Sequence, residues 1–256
     1  MKIHFYKYQA TGNDFIIIDA MKSDMKLKSD QIRKMCNRHF GIGADGLMTI
    51  SPSDEYDFQM TYYNADGYEG SMCGNGGRSI ICYANSHGLA GVETKFEAAG
   101  SVYKGWIEED ELILGMNDVK VPELTNDLMI DTGSPHVIVP VEFLENYDVS
   151  REGRRIREER IYQPKGVNVN FINEHTKNEI SQRTYERGVE AETLSCGTGA
   201  VAGAVYQATK HELKNTTVMV HMPGGDLKVY LIRSGDIYNA FLSGPAAFVF
   251  EGDIIL

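Results

Sequence analysis

The sequence reads as one unit written twice. Glu69-Gly-Ser-Met-Cys73-Gly-Asn-Gly76 is echoed by Glu192-Thr-Leu-Ser-Cys196-Gly-Thr-Gly199, and both the glutamates and the cysteines lie 123 residues apart. Thr11-Gly12-Asn13, which leads into the apolar run from Phe15, returns 121 residues later as Thr132-Gly133-Ser134 ahead of Val137–Val139. Gly100 and Gly225 form a third pair, 125 residues apart. Self-similarity at a near-constant offset marks a repeated architecture. The chain is therefore expected to hold two similar α/β halves, joined near Asn117–Val121.

Within each half the pattern is mostly that of strands. Short apolar runs (Phe15–Ile18, Tyr62–Tyr63, Trp106–Ile107, Val137–Val139, Val218–Val220 and Val229–Ile232) are bounded by Gly, Asp and Asn turns. One conspicuous helix per half begins just after its cysteine. The first runs from about Asn75 and stops at Gly88, a natural left-handed C′ residue. The second, Gly199 to about His211, is Ala-, Val- and Gly-rich on every side, which places it in a core. The fold class is thus α/β (α+β), two pseudo-repeat domains in which a curved sheet wraps one buried helix. Their bounds are residues 1–117 plus 246–256 and residues 118–245.

A cysteine at such a helix start is chemically loaded. The first turn leaves about four backbone N–H groups unpaired, and the macrodipole adds about half a positive charge. A thiol there ionises more readily, and the same N–H groups can hold a carboxylate. Adjacent glycines let a ligand approach the backbone. A lone Cys-Gly is more often a packing element, but two related by a repeat suggest one substrate held between two helix starts. Inverting a stereocentre needs a base on one face and an acid on the other, with fixed donors for the carboxylate as carbanion charge develops. Cys73 and Cys196 fit those roles, and no cofactor is called for. Cys36 and Cys82 lack the glycine context and read as core residues.

Composition removes other classes. A formal charge of −11 and scattered Lys and Arg argue against a nucleic-acid partner. The densest basic run, Arg151 to Arg160, is interleaved with glutamates and reads as a solvated loop or helix face. No early segment is apolar enough for a signal peptide or membrane span, so the expected location is cytoplasmic. There the four cysteines are expected as thiols, and none has zinc-ligand spacing, so no metal site is indicated.

Ten stretches then occur in order: Thr11-Gly-Asn-Asp-Phe15, Phe40-Gly-Ile-Gly-Ala-Asp-Gly46, Asn64-Ala-Asp-Gly67, Cys73-Gly-Asn-Gly76, Gly133-Ser-Pro-His136, Asn168-Val-Asn-Phe171, Tyr185-Glu-Arg-Gly188, Cys196-Gly-Thr-Gly199, Met222-Pro-Gly-Gly225 and Ser243-Gly-Pro245. Over essentially its full length the chain resembles diaminopimelate epimerase. The resemblance implies interconversion of LL- and meso-2,6-diaminoheptanedioate, independent of pyridoxal phosphate, in the making of lysine and peptidoglycan precursors. It implies two barrel-like, mostly antiparallel domains closing over a substrate cleft, the last strand returning to the first domain, and a homodimer with Phe250 at the dimer contact.

Carried over by motif, Cys73 and Cys196 are the two bases, and the amides of Gly74, Asn75, Gly197 and Thr198 hold the reacting carboxylate. Asn13, Asn64, Asn168, Glu186 and Arg187 line the rest of the pocket, Arg187 suiting a distal carboxylate. His136 and Glu186 tune the thiols. From the residues alone, His136 after Pro135 serves equally as a turn histidine, and Asn13 and Asn64 read as turn formers. Ser134, Gly46, the loop from Glu186 to Thr193 and Phe250 depart from the commonest family pattern, where Asn, Gln, a shorter loop and Tyr occur. Three other readings stand beside this one: a proline racemase-like enzyme, which would usually carry His at position 75, a thiol-redox protein, and a non-catalytic amino-acid binder.

Overall fold

The computed structural model describes residues 1–23, 25–70, 72–108, 111–124 and 128–256. The chain divides into two units, Met1–Leu114 with Gly244–Leu256, and Gly115–Ser243.

In the first unit, strands Lys2–Ala10 and Asn13–Asp19 form a hairpin. Its two-residue turn holds Thr11 and Gly12 at φ 46° and 89°, the positive pair that matches the twist of adjoining strands. Asn13–Asp19 pairs in parallel with Gly46–Ser51, and that strand pairs antiparallel with Phe58–Asn64. Next come a parallel pairing with Glu93–Ala98 and antiparallel ones with Ser101–Glu108 and Glu111–Gly115. Helices α1 (Ser29–Cys36) and α2 (Gly74–Ser86) belong here. So does the C-terminal strand Ala247–Ile255, which pairs antiparallel with Lys2–Ala10.

The second unit repeats the pattern. Met129–Asp131 pairs antiparallel with Pro135–Pro140, which pairs in parallel with Asn168–Thr176. Glu179–Glu186 follows antiparallel, Asn215–Met222 parallel, and Gly225–Ser234 and Ile237–Ser243 antiparallel. Val119–Lys120 completes it. The order of parallel and antiparallel pairings is the same in both units. Equivalent elements start 122 residues apart at Asn13 and Pro135, 122 at Gly46 and Asn168, and 123 at Gly74 and Gly197. The motif echo is a structural repeat. Each apolar run expected as a strand lies in one.

Helices α3 (Val149–Arg157) and α4 (Gly197–Lys210) belong to the second unit. Ala200, Val201, Ala204, Val205 and Ala208 of α4 share one core cluster with Ile172, Ile180, Val218, Val220, Val229, Leu231 and Leu242 from five strands. Each buried Val or Leu contributes about 1.5–3 kcal/mol. The small α4 side chains set how close the strands come; a Cβ on Gly203 would lie 2.2 Å from Gln182 Oε1. The Arg-rich segment is a helix with a solvated face. Asp148 caps it by accepting from the Arg151 N–H at 3.1 Å, while Val149, Gly153 and Ile156 turn inward. No helix among the described residues is long and apolar enough to cross a membrane.

Gly153 seats α3 on the strand that ends at Glu186. A Cβ at this position would lie 2.3 Å from Tyr185 Cβ and 2.6 Å from its Cγ, and Tyr185 is buried. Alanine favours a helix over glycine by about 1 kcal/mol, and overpacking of this kind costs about 1–3 kcal/mol. Gly153→Ala is therefore expected to lower the urea midpoint. A midpoint that rises would show that the close seating of α3 does not matter.

Candidate functional site

In each unit the expected site residues gather at one end of the sheet. In the first, Asn13 opens its strand, Gly46 opens the parallel neighbour, and Gly46 is paired with Asn64 at the end of the next. In the second, His136 is in register with Asn168, and the following residue pairs with Tyr185, which puts Glu186 at the same end. Asp14 and His136 are equivalent by the 122-residue offset, as are Gly46 and Asn168, and Asn64 and Glu186.

Helix α2 starts at Gly74 with Cys73 as its cap residue, in extended conformation at φ −107°, ψ 125°. Helix α4 starts at Gly197 with Cys196 in the same role at φ −128°, ψ 106°. Helices ordinarily take Ser, Thr, Asp or Asn there, whose oxygens accept from the first-turn N–H groups. Neither cysteine makes that side-chain bond, and neither first turn carries an acidic residue. Both starts thus keep positive potential of the kind that attracts a carboxylate. Gly74 and Asn75 are buried, Cys73 is half-buried, and Cys196 is 6% exposed. The repeat extends to the anchoring: Thr11 Oγ1 donates to Asn75 Oδ1 at 3.5 Å, and Thr132 Oγ1 donates to the Thr198 carbonyl at 3.2 Å.

Around α2 the polar groups form a chain. Arg38 holds Asp14 bidentately at 2.9 and 2.7 Å and Asp45 at 2.6 Å, and Lys7 reaches Asp14 at 2.7 Å. Burial works against ionisation of Asp14, but these two cations hold its carboxyl well below the usual range. Asp45 accepts from Asn13 Nδ2 at 3.0 Å, and Asn13 Oδ1 accepts from Asn75 Nδ2. Asn13 and Asn75 are thus joined, whereas Asn64 is exposed at its strand end. At Gly46, a Cβ would lie 2.6–2.9 Å from the Tyr62 ring and hydroxyl. That ring takes the space a larger residue would need, which accounts for glycine at this departure.

Around α4, Asn168 is the organiser. Its Nδ2 donates to Ser134 Oγ at 2.9 Å and to the Pro135 carbonyl at 3.2 Å, while its Oδ1 accepts from the Arg187 N–H at 2.9 Å. Ser134, the second departure, joins this group. Among the described residues the Arg187 guanidinium makes long contacts, 3.4 Å to the Lys165 carbonyl and 3.5 Å to Ser134 Oγ. Glu186 Oε2 accepts from Thr193 Oγ1 at 2.9 Å. The intervening turn accommodates its length with Gly188 and Glu190 at φ 89° and 57°. Cys196 Sγ lies 3.5 Å from Thr198 Oγ1.

His136 is fully buried. Its Nδ1 accepts from Asn170 Nδ2 at 3.1 Å. Burial pushes its imidazole down to about 3, with Asn170 opposing and the Arg187 charge adding to the drop. It is neutral at physiological pH, so any effect it has on a thiol is that of a dipole. Cys36 and Cys82 stay in the packing, burial pushing the Cys36 thiol up to about 12 and raising that of Cys82.

Sequence reasoning missed the buried trio behind His136. Asn170 Oδ1 accepts from Gln182 Nε2 at 3.1 Å and from Thr184 Oγ1 at 3.0 Å. A Cβ on Gly199 would lie 2.6 Å from that same oxygen, so glycine there lets the trio reach the first turn of α4. Period-two alternation from Asn168 was the available signal for Asn170. Arg78 and Asp45 carried none.

A family profile described as diaminopimelate epimerase matches residues 5–120 and 128–249. A diaminopimelate epimerase of Flavobacterium psychrophilum is 42% identical over 253 residues, spanning 97% of this chain and 99% of its own length. Among solved structures, a phenazine biosynthesis protein of the PhzF family from Bacillus anthracis superposes with TM-score 0.76 at 19% identity, covering all of both chains. A hydroxyproline epimerase from Agrobacterium vitis does so with TM-score 0.72 at 14% identity, covering 99% and 92%. These two share the fold.

The burial of His136 fixes a pH dependence. Between pH 6.5 and about 3 the unfolded chain binds a proton that the folded chain refuses. Stability is therefore present above about pH 6.5 and falls as pH drops, by at most about 1.4 kcal/mol per unit. Urea midpoints across that window should show a steeper loss for the wild type than for His136→Gln. Parallel slopes would place the acid sensitivity elsewhere.

Proposed function

The chain belongs to the diaminopimelate epimerase family, and from that membership we propose an isomerase that interconverts LL- and meso-2,6-diaminoheptanedioate by a two-base exchange at Cα, using its own cysteines. The supporting observation is that two repeat-related cysteines each precede a buried, glycine-started helix. One thiolate takes the Cα proton from one face, and the other thiol gives its proton to the opposite face. The net result is an inverted centre with both sulfurs having exchanged charge state. The electron pair left at Cα spreads into the carboxylate, and the N–H groups of Gly74, Asn75, Gly197 and Thr198 are suited to hold that growing charge. The reaction requires both thiols to reach one carbon, and that requirement is part of the proposal.

The far end of the substrate is an amino acid with its own carboxylate and ammonium. Arg187, with its long and replaceable contacts, is suited to the carboxylate, and Glu186, Asn168, Asn13 and Asn64 to the polar remainder. His136 and Glu186 complete the thiol surroundings. We place the reaction in the cytoplasm, in lysine and peptidoglycan-precursor synthesis, and assign a homodimer with Phe250 at its contact. The exposed Phe248, Val249 and Phe250 on one strand support that assignment, since adjacent exposed aromatics favour association.

In heavy water, diaminopimelate is expected to gain deuterium at its α-carbon without added metal or pyridoxal phosphate. Cys73→Ala and Cys196→Ala should each abolish that gain. Undiminished uptake in either variant would remove the two-thiol mechanism.

Arg187→Ala is expected to raise the KM for diaminopimelate by about 10- to 100-fold, the loss of a charged hydrogen bond of about 1.5–3 kcal/mol. Steady-state kinetics with KM and kcat separated would check this. An unchanged KM would reassign the distal carboxylate.

A further inference from the structure

Beneath the first turn of α2 lies a charged group that the proton exchange does not use. Arg78 is completely buried, among the largest side chains in the protein to be so. A helical side chain leans back toward the helix N-terminus, and here one guanidinium nitrogen donates to Asn75 Oδ1 at 2.9 Å and to Thr11 Oγ1 at 3.1 Å. Its Nε and other terminal nitrogen have no hydrogen-bond partner, and among the described residues no carboxylate pairs with it. Burying a cation without a partner costs several kcal/mol. The protein bears that cost one turn into the helix that Cys73 caps.

Burial draws the Arg78 guanidinium down to about 10, and the Cys73 thiolate acts in the opposite sense. It thus stays charged at neutral pH. Such an interaction is reciprocal: what the thiolate does for the guanidinium, the guanidinium does for the thiolate. Other titratable groups against α2 face its far half: Tyr8 at Ser86, Asp19 at Tyr83, Tyr6 at Tyr83 and His87, and Glu251 near Tyr8. Lys7, Asp14, Arg38 and Asp45 neutralise one another beyond Asn13. The equivalent position in α4, 123 residues on, is Val201, buried and uncharged.

We propose that Arg78 is a positioning residue for Cys73, a fixed buried positive charge that favours its thiolate, and that Cys196, with Val201 in the corresponding place, lacks one. The two thiols are then unequal before any substrate arrives, with Cys73 the resting base and Cys196 the resting acid. This rests on the two-thiol reading above and deepens it.

Alkylation with iodoacetamide over a range of pH, read by peptide mass mapping, follows each thiol separately and needs no substrate. In the wild type the Cys73 midpoint should lie at least about one pH unit below that of Cys196, roughly a tenfold difference in thiolate at a given pH. Arg78→Met should raise the Cys73 midpoint by about a unit and leave that of Cys196 in place, and Arg78→Lys should keep most of the wild-type value. A wild-type Cys73 midpoint at or above that of Cys196 would overturn the proposal, whether or not Arg78→Met folds. So would an unmoved midpoint in an Arg78→Met protein with wild-type circular dichroism and melting. Equal thiols together with normal deuterium exchange would sink this inference and leave the epimerase function intact. Ordered thiols without exchange would do the reverse.

Discussion

A helix start buried inside its own domain must find something for its leading N–H groups. Proteins usually supply an oxygen from the cap residue, and the end is then chemically quiet. In both units of this chain the cap is a cysteine whose side chain does not accept from those groups, and the residue after it is glycine. Much of the surrounding structure follows from this. The small residues of α4 let five strands close on it, and Thr11 and Thr132 tether the second helical residue in their respective units.

The anchoring shows why a threonine-glycine turn and a cysteine-glycine helix start recur at nearly the same offset. The turn brings a threonine to the helix start, so the two motifs are one contact written in two places. The architecture is legible in the sequence for that reason. Phe15–Ile18 and Val137–Val139 follow the turns, form strands and sit in equivalent positions. Gly88, at φ 68°, closes α2 as its missing side chain suggested. What the repeat carries is backbone geometry, and local sequence is a good witness to that.

It is a poor witness to the second layer of polar contacts. Gln182 and Thr184 look like ordinary alternating strand residues, yet both meet Asn170 in the core, and Asn170 in turn fixes the ring of His136. Arg38 is an exposed cation that also ties Asp14 to Asp45, and through Asp45 to Asn13. These partners are 7 to 34 residues apart. Sheet register brings His136, Gln182 and Thr184 to Asn170, whereas Arg38 and Asp45 reach Asp14 from the loop between α1 and the strand Gly46–Ser51. The glycine at position 46 belongs to the same class, because its reason is the Tyr62 ring above it.

The repeat is most informative where it fails. At equivalent backbone positions the first unit has Asp14, Gly46, Asn64 and Arg78, and the second has His136, Asn168, Glu186 and Val201. The charge around the first helix start is therefore a bound network of anions and cations with one buried guanidinium. Around the second it is a buried neutral imidazole among amides, with Arg187 and Glu186 at the strand end beside it. Two identical helix starts would have identical surroundings, and these two do not. Duplication supplies the pair of thiols on matched helices, and divergence of the side chains beneath and beside them supplies the difference between the two.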